Sequence, residues 1–149
     1  MDLSSIFDFA STLAIAGWGL LVVHPLAPRW IDIATIYAIP LALSVLYTAL
    51  ILAYWSGLEG GFDSFANVML LFTQEEATLA GWTHFLAFDL MIGAISLRYA
   101  RREGVPHLLM LPALYLTLMF GPAGLLTTAA LITIARATRR TPSPQGAHS

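Results

Sequence analysis

The chain has 149 residues, 58% of them hydrophobic and only 11% charged, whereas a soluble domain carries about a quarter charged residues. Too few charges remain to coat a globule, and a mean hydropathy of +0.75 marks an integral membrane protein of one compact unit. A net charge of −2 without a basic block argues against a nucleic-acid partner, and the lack of cysteine removes disulfides, thiolate metal sites and thiol nucleophiles.

The opening MDLSSIFDF has no positive n-region and carries Asp2 and Asp8, so it does not read as a secretory leader. The first apolar run, about residues 6–23, is expected to stay as a span, ended by His24, Pro25 and Pro28. The second run, about residues 31–55, contains Pro40, which a membrane helix tolerates when neighbours re-satisfy the freed carbonyl. Gly57, Gly60 and Gly61 then break the helix, Asp63 or Ser64 can cap a new one, and Phe65, Val68, Met69 and Phe72 recur at helical spacing. This acidic segment is too short to span and reads as an interfacial or re-entrant amphipathic helix. The third run is about residues 78–97 and the fourth about residues 108–135, the latter with Pro112 and Pro122.

The expected fold is therefore all-α: four transmembrane helices of about 20 residues each, with the amphipathic helix between spans two and three. Residues 1–138 form the single membrane domain, and 139–149 a disordered tail rich in Arg, Pro and Ser. Arg98, Arg101 and Arg102 put the third loop inside, and the lysine- and arginine-free connection 55–80 outside. Four clean spans then strand Arg136, Arg139 and Arg140 on the outer side. A reversal at Phe120-Gly121-Pro122-Ala123-Gly124 would remove the conflict, but each half has only about 13 residues, too short to span alone. One long, kinked span is the expectation. The all-arginine, alanine-rich usage suggests a bacterial inner membrane.

Two ionisable residues, His84 and Asp89, lie in the third run, and such groups at membrane depth are functional candidates by default. They are five residues apart, so about 140° apart on a helix, and each needs a partner on another element. Asp89 shares a face with Trp82, Phe85, Gly93 and Ser96, while His84 shares one with Phe88, Met91 and Ile95. Gly93 and Ser96 allow a neighbouring helix to approach. Against the functional reading stand two plainer ones: an interfacial histidine bonding a carbonyl, and a protonated carboxyl bonding neighbouring helices. Candidate partners for Asp89 include Trp18, Tyr37, Tyr47, Tyr54 and Tyr115.

Glu75, Glu76, His84 and Asp63 match no standard metal-ligand spacing, and no metal is expected. His24 and His84 fall at opposite ends of the predicted spans, too far apart for a shared haem. His107 and His148 read as loop and tail. Trp30, Trp55 and Trp82 sit where an aromatic belt would, whereas Trp18 and Phe88, deeper, suit the wall of a hydrophobic cavity.

The stretch FANVMLLFTQEEATLAGWTHFLAFDLMIGAISLRYARREGVPH, followed by LTLMFGPAGLL, resembles the abscisic-acid-deficient-four-like membrane family, whose plant members are associated with neoxanthin synthesis. The likeness covers about residues 55–130. It rests on the acids after an LF run, a W-x-H-[FL]-L-x-x-D-L core, an Arg-containing loop and a late F-x-P-x-G-[IL] turn. It implies a membrane protein acting on carotenoids, converting a 5,6-epoxide end group into an allene or promoting cis–trans isomerisation. Carried over by position, Glu75, Glu76, His84 and Asp89 would be catalytic, with Trp82 beside them. Gly121, Pro122 and Gly124 would be structural. With the aromatic residues named above, the substrate wall becomes Trp18, Trp82, Phe85 and Phe88.

Opening an epoxide to an allenic alcohol breaks a C–O and a C–H bond, so it needs an acid and a base and no redox cofactor. Asp89 and His84 fit those roles in type. A carotenoid isomerase predicts that both line one lipid-accessible cavity. A non-catalytic carotenoid- or lipid-binding module, assisting a partner enzyme, predicts a cavity with a polar end and no acid–base pair. A small transporter or proton-relay subunit predicts a polar path through Asp89 and a homo-oligomer. The expected partners are accordingly a hydrophobic small molecule such as a carotenoid or another isoprenoid, membrane lipids, and a second copy or a carotenoid-pathway enzyme.

Overall fold

The structure, a computed structural model, describes residues 2–140, which are mainly helical, with no strand among them. Most of the expected tail 139–149, including His148, lies outside the described residues; Arg139 and Arg140 close the last helix.

Helix α1 (Leu3–Val22) is opened by Asp2, whose carboxylate accepts from the Ser5 N–H at 2.8 Å, the N-cap arrangement that satisfies one orphan donor. A tight turn at His24–Leu26 leads into α2 (Pro28–Asp32), a π turn (Ile33–Ala38) and α3 (Ile39–Tyr54), which continue as one rod, Pro28–Gly57. Pro40 explains the π turn. Its missing N–H and its ring spoil regular bonding one turn earlier, and the backbone widens there, with Ile39 N–H reaching back to Ala34. The Thr35 hydroxyl donates to the Ile31 carbonyl and that of Ser44 to the Pro40 carbonyl, both at 2.7 Å, the i−4 back-bonding that often bends a helix.

After a loop clamped by Gln74, whose amide exchanges two hydrogen bonds with the Glu59 backbone at 2.8 and 3.1 Å, comes the long helix α5 (Glu75–Arg102). Within that connection, α4 (Phe65–Leu71) stands where the amphipathic helix is expected. Ser64 caps it, while the Asp63 carboxylate accepts from the Asn67 amide. At about 10 Å it is far too short to cross a bilayer. Among the described residues three helical stretches are long and apolar enough to do so: α1, the rod Pro28–Gly57 and α5.

The expected fourth span is corrected. Helix α6 (His107–Phe120) ends at Gly121, whose φ of +36° an L side chain rarely adopts. Pro122, with no N–H to leave unpaired, starts α7 (Pro122–Arg140), which packs back against α6. Gly124 lets the first turn of α7 lie against the backbone of Thr117. At the far end Arg136 grips Glu103 at 2.6 and 2.9 Å and the Tyr99 hydroxyl at 2.7 Å. The segment is thus a hairpin that begins and ends beside the C-terminus of α5. Its 14-residue first leg is about 21 Å long, short of the ~30 Å hydrocarbon core. The hairpin also dissolves the conflict over arginines, because Arg136 and Arg139 return to the end that holds Arg98, Arg101 and Arg102.

Helix α5 is the axis of the bundle, in contact with α1, α3, α6 and α7. Leu90 and Leu97 are fully buried, against Leu21 and Met110 among others. Small residues set the spacing, as membrane packing favours. A Cβ on Gly17 would fall 2.6 Å from Leu90, and one on Gly93 2.7 Å from the Trp18 ring.

Candidate functional site: two cavities on one helix

The N-terminal half of α5 leaves one flank open. Phe85 and Phe88 are exposed along it, with His84 on one edge and Asp89 on the other, as the ~140° between the two residues requires. The structure places both side chains at cavities, and the cavities are different.

Asp89, half-buried, lines a cavity of 490 Å³ with Trp18, Trp82, Phe85, Leu86 and the hairpin turn from Leu118 to Pro122. A Cβ on Gly121 would lie 3.0 Å from its Oδ1, so the backbone of the turn is a wall of the site. Among the described residues no protein group donates a hydrogen bond to this carboxyl. None of Tyr37, Tyr47, Tyr54 and Tyr115 is its partner, and Trp18 meets it only as a cavity wall. That ring, buried on α1, is seated over Gly93.

His84 lines a second cavity, of 270 Å³, with Tyr47, Trp55, Leu71, Phe72 and Phe85 among its walls. Its ring stacks on Phe88 at 4.6 Å and meets Tyr47 at 5.7 Å. Phe85 borders both cavities. The arrangement expected of a shared acid–base pocket is thus replaced by two pockets separated by one phenyl ring.

Trp82 does more than anchor at an interface: its indole N–H donates to the Ser11 hydroxyl at 3.0 Å and its ring stacks on Phe7 at 5.6 Å. On its other side a groove of 370 Å³ holds Glu75. Glu75 and Glu76 open α5 and lie roughly 20 Å along its axis from Asp89, so the structure does not bring them to that cavity. Among the described residues no three His, Asp or Glu side chains converge as a ligand cluster. His107 is not a loop residue; it opens α6, and its Nε2 bonds the Val22 carbonyl at 2.9 Å.

A third cavity, of 580 Å³, gathers Arg29, Arg98, Arg101 and Arg102 with His24 and Asp32. By sequence alone, these arginines serve only to orient the chain.

Apolar helices long enough to cross a membrane, an inward hairpin and a lone mid-span carboxyl define a small polytopic helical membrane protein with a cavity at depth. The chain belongs to the ABA DEFICIENT 4-like family, whose model matches residues 5–127. The match starts in α1, well ahead of the stretch that carries the likeness in the sequence, and runs through the hairpin turn. No curated protein and no solved structure matches the chain.

Proposed function

We propose that the chain is a membrane-embedded isomerase of carotenoids or related isoprenoids, with the end group of the substrate in the Asp89 cavity and the polyene along Phe85 and Phe88. The observation that carries this reading is the isolated carboxyl: Asp89 stands at mid-span among aromatic rings with no protein hydrogen-bond donor. An ionisable group so placed serves a ligand or a proton path, and the other side chains lining this cavity are aliphatic or aromatic.

Asp89 is the acid that protonates an epoxide oxygen as the C–O bond opens. His84 is the base that takes the proton from the adjacent carbon, completing an allenic alcohol. One proton is given and one taken, so no oxidant or reductant enters. For both groups to reach one end group, Phe85 must turn aside, and its exposure of 60% leaves room for that. Glu75 and Glu76 have no part in this chemistry. A bacterial inner membrane, with the arginine end toward the cytoplasm, suits the composition.

A second reading is a non-catalytic polyene-binding module, favoured by the separation of the two cavities at Phe85. Pigment profiling in a carotenoid-producing host separates the two. Wild type should yield a new carotenoid isomer, with Asp89→Asn and His84→Ala each lowering its formation about a hundredfold or more at equal protein level, as loss of an acid or base does. Co-purified but unaltered pigment would mean the binding module. No product and no bound pigment would sink both.

A further inference from the structure

The basic end of the molecule contains two sets of arginines. Arg136 is matched: Glu103 takes two of its N–H groups, and Tyr99 a third. The other set is not. Arg29, Arg98, Arg101 and Arg102 line the 580 Å³ cleft between α2 and the last turns of α5, and the one carboxylate there is Asp32. That carboxylate is already engaged, by His24 Nε2 at 2.8 Å and by Arg98 Nε at 3.7 Å. Four guanidiniums against one carboxylate leave three positive charges facing the same space.

The back of the cleft is built rather than incidental. His24 is 3% exposed and both its ring nitrogens are used. Arg101 contacts Nδ1 and, being only a donor, makes that nitrogen the acceptor, so the N–H on Nε2 donates to Asp32. The histidine thereby fixes Arg101 on one side and Asp32 on the other. The preference for arginine on the inner side of a membrane accounts for cations in these loops, but not for their convergence from two helices on a buried imidazole.

We propose that this cleft binds a phosphate group, namely the headgroup of an anionic phospholipid. Guanidinium forks match the oxygens of a phosphate two at a time, and basic pockets between membrane helices on the cytoplasmic side are where such headgroups bind. The lipid source follows from the rim. Ile33 and Tyr37, four residues apart on the rod, continue from the cleft as exposed apolar surface, 43% and 53% accessible. An acyl chain leaving the headgroup covers that strip, while a free phosphate would not touch it.

The test uses the full chain in detergent, with native mass spectrometry after exchange into mixed micelles of phosphatidylglycerol and phosphatidylcholine. Wild type should retain phosphatidylglycerol selectively. R98Q/R102Q, which leaves the His24–Arg101 contact in place, should retain about tenfold less or lower still, as loss of two charge-assisted contacts implies. R139Q, a charge removed at the same end but outside the cleft, should bind as wild type does. Helicity and elution profile check that each variant folds; should the double variant fail, R102Q alone at the exposed rim is read the same way. Inorganic phosphate and pyrophosphate form a second arm. Failure of either to displace the lipid supports the lipid assignment, while their displacing it, or stabilising lipid-free protein in an Arg98-dependent way, moves the site to a soluble phosphate compound and overturns that assignment. Equal retention by R98Q/R102Q and wild type, or an equal loss in R139Q, overturns the cleft as a phosphate site.

Discussion

The Asp89 cavity and the arginine cleft lie on the same helix, and they treat charge in opposite ways. The first holds a single carboxyl walled by Trp18, Trp82, Phe85 and a backbone turn. The second holds four guanidiniums, one carboxylate and a buried imidazole. Elsewhere several charged groups are paired at short range: Asp2 caps α1, Asp63 holds Asn67, and Glu103 holds Arg136. Against these pairs stand one carboxyl at depth without a donor among the described residues and a surplus of positive groups at the end. The difference points to two ligands of different kind, an apolar molecule with a protonatable end and an anion, and to two sites that can be damaged separately.

The largest separation should come from Trp18→Ala. The ring fills the space over Gly93 and is 6% exposed, so its loss opens a void between α1 and α5. Large-to-small changes of this type cost about 3–5 kcal/mol in soluble cores, and the lower end applies here because lipid solvates the unfolded segments as well as the folded ones. A loss of about 3 kcal/mol in reversible denaturation from mixed micelles is expected, with the Asp89-dependent product abolished and phosphatidylglycerol retention kept. Parallel loss of both would show that the two cavities are one cooperative unit.

Gly121→Ala is subtler and reports on the wall they do not share. The backbone conformation at Gly121, φ 36° and ψ −87°, lies outside the regions open to an L residue and costs one about 1–3 kcal/mol, and the new methyl would sit 3.0 Å from Asp89 Oδ1. Asp89→Ala removes that crowding. The double variant should therefore be less destabilised than the two single changes together, by a coupling of at least about 0.5 kcal/mol. Strict additivity would mean that the carboxyl and the turn do not touch in the working protein.

The readable parts of this molecule were those written in hydropathy. The three long apolar stretches appear as α1, the rod and α5 because a span is a count of apolar residues, and the place of Pro40 marked where the rod would be irregular. The hairpin was not readable that way. Phe120-Gly121-Pro122 serves equally for a kink and for a reversal, and what decides is the positive φ of Gly121 and the close seat of Gly124 on Thr117. The arginine bias had posed the problem, and the reversal was its answer. The opposed edges of His84 and Asp89 follow from helical geometry, so their separate cavities were legible in principle; that Phe85 alone divides them was not. The arginine cleft joins His24 to Arg101 across 77 residues, and a contact of that range leaves no local pattern.

The smallest effect tests what keeps the hairpin, and with it the wall of the Asp89 cavity, docked at the arginine end. Arg136 beside Glu103 holds that carboxyl below its ordinary value, chiefly through the hydrogen bonds it donates. The pair is exposed to water, so its contribution is modest. A carboxyl whose value is lowered by folding stabilises the fold above its unfolded value, about 4.3, and that contribution drains away as pH falls through the lowered folded value. Hydrogen-exchange protection factors over residues 131–138 should therefore fall on acidification past about pH 4. In Glu103→Gln the protection should be lower at neutral pH and lack that acid-dependent drop, with Asp89-dependent product nearly unchanged because the turn itself is intact. A variant that kept the wild-type acid drop would assign it to another carboxylate, and would mean that α7 is held against α6 by the packing of Leu131, Ile132 and Ala135 without help from the ion pair.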